Sequence, residues 1–93
     1  MPEICKKLII KGVVQGVGFR ANTLYAAQKI GGLKGYVRNL SNGDVEILVQ
    51  ATLAKVTELV AWAKKGPGTA RVDQVLDEPV TPDPEMPAFE ILD

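Results

Sequence analysis

The spacing of hydrophobic and polar positions changes period several times along the chain, and each change marks an element. Residues 4–11 alternate, with Leu8 and Ile10 on one face and Lys7, Ile9 and Lys11 on the other. That pattern predicts a strand buried on one side only. Residues 20–30 switch to helical spacing: Leu24, Ala27 and Ile30 recur, Gln28 and Lys29 fall outside, and Gly31-Gly32 supplies the stop. Residues 34–40 and 45–50 return to strand character. Tyr36, Val37 and Leu40 lie in the first of these, and Val45, Ile47 and Val49 alternate with Glu46, Leu48 and Gln50 in the second. Between them Ser41-Asn42-Gly43-Asp44 carries the Asn-Gly hairpin signal. In residues 52–65, Leu53, Val56, Leu59, Val60 and Ala63 form an apolar helical stripe, with Lys55, Glu58 and Lys64 off it, before Gly66-Pro67-Gly68. Residues 70–76 predict a fourth strand, in which Val72 and Val75 break the alternation and mark a bulge. Residues 77–87 hold four of the six prolines together with Asp77, Glu78, Asp83 and Glu85, a composition read as an extended surface loop. Ala88 to Leu92 predict a short final strand.

The order is β-α-β-β-α-β with a short extra strand. It predicts an α+β, ferredoxin-like sandwich: a four-stranded antiparallel sheet with two helices on one face. No internal repeat or linker divides residues 1–93, so a single domain is expected. This fold hosts many functions and selects none.

Composition narrows the chemistry more than the fold does. The chain has no histidine and one cysteine, Cys5. Serine–histidine and cysteine–histidine nucleophiles, imidazole bases and histidine metal sites are excluded. One cysteine makes no internal disulfide and no paired zinc spacing. Eleven basic residues balance eleven acidic ones, so the net charge exerts no pull toward nucleic acid or anionic lipid. No signal-peptide core and no membrane-length apolar run is visible, and a cytoplasmic enzyme or binding domain is expected.

What remains is concentrated in Gly12-Val13-Val14-Gln15-Gly16-Val17-Gly18-Phe19-Arg20. A glycine-rich turn between strand and helix lets the backbone take positive φ and aims N–H groups and the helix dipole at one spot. Arg20 adds a planar fork of donors that matches an oxyanion. On residue type alone this is either an anion cradle or a tight turn with a surface arginine. Asn39, late in the second strand, reads on the same basis as a polar residue starting the turn.

The two segments together resemble a known family. Gly12 to Arg20 is similar to the signature of the acylphosphatases. Gly35-Tyr36-Val37-Arg38-Asn39, with its glycine-containing turn and Val45-Glu46, resembles their second signature. Trp62, Gly66-Pro67, Ala70, Val72, Val75 and Phe89-Glu90-Ile91 fall in the family's order, so the likeness spans essentially the whole chain.

The resemblance implies hydrolysis of acyl phosphates to a carboxylate and inorganic phosphate, without metal or cofactor. Arg20 would bind the phosphate together with backbone N–H groups of Gln15, Gly16, Val17, Gly18, Phe19 and Arg20. Asn39 would orient the attacking water. The expected partner is the small acyl phosphate, with no nucleic acid or membrane, and a monomer is expected. The alternative of the same fold is a catalytically silent domain that binds an acyl or carbamoyl phosphate, or a protein. An RNA-recognition module shares the element order, but its central strands need stacking aromatics, and Leu8-Ile9-Ile10 and Ile47-Leu48-Val49 offer none. Three positions depart from the family pattern. Asn22 stands where an aromatic is more usual, Gly32 is one residue extra before the second strand, and Asn42-Gly43 replaces Asp-Gly.

Overall fold

The computed structural model describes residues 2–92. Seven elements follow in order: β1 (Ile4–Val13), α1 (Phe19–Ile30), β2 (Lys34–Asn39), β3 (Val45–Ala51), α2 (Leu53–Lys65), β4 (Arg71–Val80) and β5 (Glu90–Ile91). The strands form one sheet in the order β4-β1-β3-β2-β5. The first four pair antiparallel, and β5 joins the far edge parallel to β2 with Tyr36 opposite Glu90 and Val37 opposite Ile91. The expected antiparallel four are present, and the expected short extra strand joins them in parallel, making the sheet five-stranded and mixed.

Period-2 alternation sorts the sheet into two faces. Leu8, Ile10, Val37, Val45, Ile47 and Val49 are fully buried. They form one cluster with Val56, Leu59, Val60 and Ala63 of α2 and Phe19 and Ala27 of α1. Trp62, half-buried, packs its ring against Phe19 with centroids 5.6 Å apart. Gly35 is needed where it stands: a Cβ there would lie 1.9 Å from the Leu48 carbonyl oxygen of the neighbouring strand.

The opposite face is polar and organised. Glu46 is buried and accepts from the Tyr36 hydroxyl at 2.8 Å and from Arg38 Nε at 2.7 Å. Burial first, and then the bond to Glu46, raises the Tyr36 pKa above its ordinary value, while Glu46 raises that of Arg38. Gln50, also buried, donates to the Asp83 carbonyl and accepts from the Asp83 N–H, both at 2.9 Å. The proline-rich segment after β4 is thereby strapped to β3. Burial raises the pKa of Cys5, which is itself buried, and Asp83 adds to the effect.

Several boundaries differ from the sequence reading, and two of them bear on the sheet. β1 runs to Val13 instead of ending at residue 11, and β4 continues to Val80 instead of breaking at residue 76. Asp77, Glu78 and Pro79 pair with Leu8, Lys7 and Lys6. The composition rule treats proline as excluded from a central strand, but β4 is an edge strand, where a missing N–H costs no ladder bond. The bulge lies where the two valines suggested: Lys11 pairs with Gln74 and Gly12 with Val72, leaving Asp73 over.

Candidate active site

The glycine loop hangs between two core anchors. Val14 and Phe19 are each 1% exposed, and the intervening residues bow outward. Gly16 (φ 74°) and Gly18 (φ 79°) take the left-handed conformation that lets the chain turn into α1. Gly12 does something different. A Cβ there would sit 2.1 Å from the Arg71 carbonyl oxygen, so this glycine allows β1 and β4 to approach at the bulge.

Several backbone donors of the loop lack a backbone acceptor. Among the described residues, the N–H groups of Gln15, Gly16, Val17 and Gly18 reach no backbone carbonyl. The first N–H groups of α1 have no intrahelical acceptor either. No acidic residue occupies the first turn of α1, so nothing there neutralises the positive end of its dipole. The Thr69 hydroxyl donates to the Val17 carbonyl at 2.7 Å. Because the peptide is planar and trans, that bond also fixes the Gly18 N–H, pointing the opposite way. Asn22 places both its backbone N–H (3.0 Å) and its side-chain Nδ2 (2.8 Å) on the Gly18 carbonyl, tying the loop to the helix. The residue that departs from the family pattern thus serves as a local brace.

Arg20 extends from the first turn of α1, and its Nη1 donates to the Leu92 carbonyl at 3.3 Å. Asn39 is the last residue of β2, opposite Val45, on the same face of the sheet as the core. Its Oδ1 is buried and, among the described residues, accepts no hydrogen bond. An orphaned buried acceptor costs about 1–3 kcal/mol, and such groups concentrate where a site awaits a ligand or a water.

Arg20, Asn39, Gly16 and Gly18 border one pocket of about 260 Å³, with Val14 and Ile91 among its apolar walls. That is room for a small ligand. Phe19 also lines it, whereas Gln15 and Val17 do not. The Gln15 side chain turns away to the β2–β3 turn, donating from Nε2 to the carbonyls of Leu40 (2.7 Å) and Asp44 (2.8 Å). Gln15, Thr69 and Leu92 enter the site's architecture through contacts that no spacing in the sequence announces.

A glycine-rich loop, an arginine and a carboxamide border one small pocket in this α+β domain. Comparison with known proteins then fixes the family. The acylphosphatase family profile matches residues 6–91. The chain is 44% identical over 92 residues to an acylphosphatase of Vibrio cholerae, covering 99% of this chain and 100% of that one. It is 48% identical over 75 residues to an acylphosphatase of Photobacterium profundum, covering 81% and 82%. A crystal structure of acylphosphatase from Bacillus subtilis superposes with a TM-score of 0.89 at 29% identity, covering 96% and 98%. The chain belongs to the acylphosphatase family.

Proposed function

We propose that the chain hydrolyses acyl phosphates, with Arg20 and the backbone N–H groups from Gln15 to Arg20 holding the phosphate and Asn39 orienting the water. The reading is carried by one observation above all: a buried carboxamide oxygen with no hydrogen-bond partner among the described residues, beside a pocket bordered by the glycine loop and Arg20. A half-turn of that amide about χ2 exchanges oxygen and nitrogen, so it can turn either an acceptor or donors toward the pocket.

The chemistry suits these residues. The water oxygen bonds to phosphorus as the bond from phosphorus to the acyl oxygen breaks. The products are a carboxylate and inorganic phosphate, and the water's proton passes to a phosphate oxygen. A carboxylate leaves without a strong general acid. The remaining work is positioning and stabilising charge on the phosphoryl oxygens, which a guanidinium and preorganised amide donors supply.

Phosphate release from a simple acyl phosphate tests the proposal. Arg20→Ala removes an oxyanion donor and is expected to lower kcat by about 10²–10³-fold. Arg20→Lys is expected to recover little, because a point charge lacks the planar fork. Wild-type turnover by both variants would overturn the assignment.

A further inference from the structure

The Gln15 side chain spends both of its amide hydrogens on the mouth of the β2–β3 hairpin. Leu40 and Asp44 are the residues that close it: the Leu40 N–H donates to the Asp44 carbonyl at 2.8 Å, and the Gly43 N–H to the Leu40 carbonyl at 3.2 Å. The Nε2 group of Gln15 donates to those same two carbonyls. Each carbonyl oxygen has two lone pairs, and Gln15 completes both. Leu40 follows Asn39 directly, and Gln15 precedes Gly16 at the start of the loop. One side chain therefore joins the segment that bears Asn39 to the segment that would hold the phosphate.

We propose that Gln15 is a positioning residue, setting the distance and angle between Asn39 and the phosphate loop through its side chain. The inference rests on the role proposed above for Asn39. Its function differs from plain structural support because the hairpin has other ties. Asp44 is held by Lys11 Nζ at 2.7 Å, and its N–H is capped by Asn42 Oδ1 at 3.0 Å. β2 and β3 stay paired along their length from Lys34–Gln50 to Asn39–Val45. Loss of the Gln15 amide leaves both carbonyls with one donor each and the fold intact. What it frees is the hairpin mouth relative to the loop. A displacement of about 1 Å at a reacting group costs up to about 100-fold in rate.

The side chain can be changed without touching the loop's backbone donors. Gln15→Met keeps length and volume and removes both hydrogens. We expect kcat to fall toward that 100-fold limit, while KM and inhibition by inorganic phosphate change little, since phosphate contacts the loop and Arg20. Asn39→Ala should cost far less in the Gln15→Met background than in the wild type, because a misplaced amide has already lost its effect. Gln15→Glu, which also lacks the donors, serves as a second variant and should regain activity as pH falls and its carboxyl takes up a proton to donate. Full kcat in Gln15→Met, or multiplicative losses in the double variant, would overturn the positioning role. Wild-type activity in Asn39→Ala alone would overturn the Asn39 reading itself, and this inference with it.

Discussion

Replacing Asn39 by valine is expected to make the protein more stable and inactive at once. The buried Oδ1, which accepts no hydrogen bond among the described residues, costs about 1–3 kcal/mol in the folded state. Valine removes that atom and replaces it with a methyl of similar size, on the face of β2 that meets Val45. Strand preference adds up to about 1 kcal/mol in the same direction. Against this stands the loss of whatever Nδ2 contributes, a small term at a half-exposed position lining a pocket. A net gain of roughly 1–2 kcal/mol follows, and each 1 kcal/mol raises Tm by about 4–8 °C in a domain of this size. Urea unfolding followed by the fluorescence of Trp62, the one tryptophan, reads the change as a higher midpoint at unchanged slope. Phosphate release from an acyl phosphate reads the other half, expected to fall about 100-fold. A variant destabilised by 1 kcal/mol or more would refute the reasoning, since it would mean that the oxygen is already satisfied in the resting protein. Retained turnover would refute the catalytic half alone.

Two further outcomes separate effects that composition alone confounds. Gly16→Ala meets no atom within 4 Å and pays only for its φ of 74°, about 1–2 kcal/mol; Gly35→Ala must push β2 off the Leu48 carbonyl 1.9 Å away and should lose much more, as urea midpoints will show. Tyr36 has its pKa raised above 10.0 by burial and then by Glu46. The neutral phenol is favoured in the folded state, so its contribution is intact below pH 10 and lost as pH rises through the folded value. Unfolding midpoints measured against pH should show this alkaline loss in the wild type and a flatter curve in Tyr36→Phe.

The parts of the fold that rest on period were legible in the sequence, because one-sided burial writes its own pattern. Leu8 and Ile10, and Val45, Ile47 and Val49, lie on the core face as their alternation predicted. The hairpin was legible as a location but not as a geometry. Among the described residues no non-glycine residue has positive φ, so Asn42-Gly43 is not the two-residue mirror-image turn; Gly43 is the one left-handed residue of the turn (φ 97°), closing a three-residue loop. The continuation of β4 through Pro79 was hidden because a proline's tolerance depends on which edge faces solvent, and strand order is not a local property. Residue types left Arg20 open between an anion cradle and a tight turn, and gave Asn39 to the turn. Its proximity to the loop arises from the neighbouring positions of β1 and β3, and β3 and β2, in the sheet. Gln15 was read for its backbone, and its side-chain bonds to Leu40 and Asp44 depend on a hairpin distant in sequence.

The interior position of β1, between β4 and β3, has a consequence in time. Its two neighbours, β3 and β4, are both synthesised after it, and only the β2–β3 pair is joined by a short turn. Closing such separated segments must precede the contacts that reward closure, which slows folding relative to helical bundles of similar size. The approach of Gly12 to Arg71 and the bond from Thr69 to Val17 both wait for β4 to dock. A chain with its helices and central hairpin formed would still have a loose glycine loop. The proposed phosphate loop is therefore complete only once β4 has docked, through the pairing that spans most of the chain.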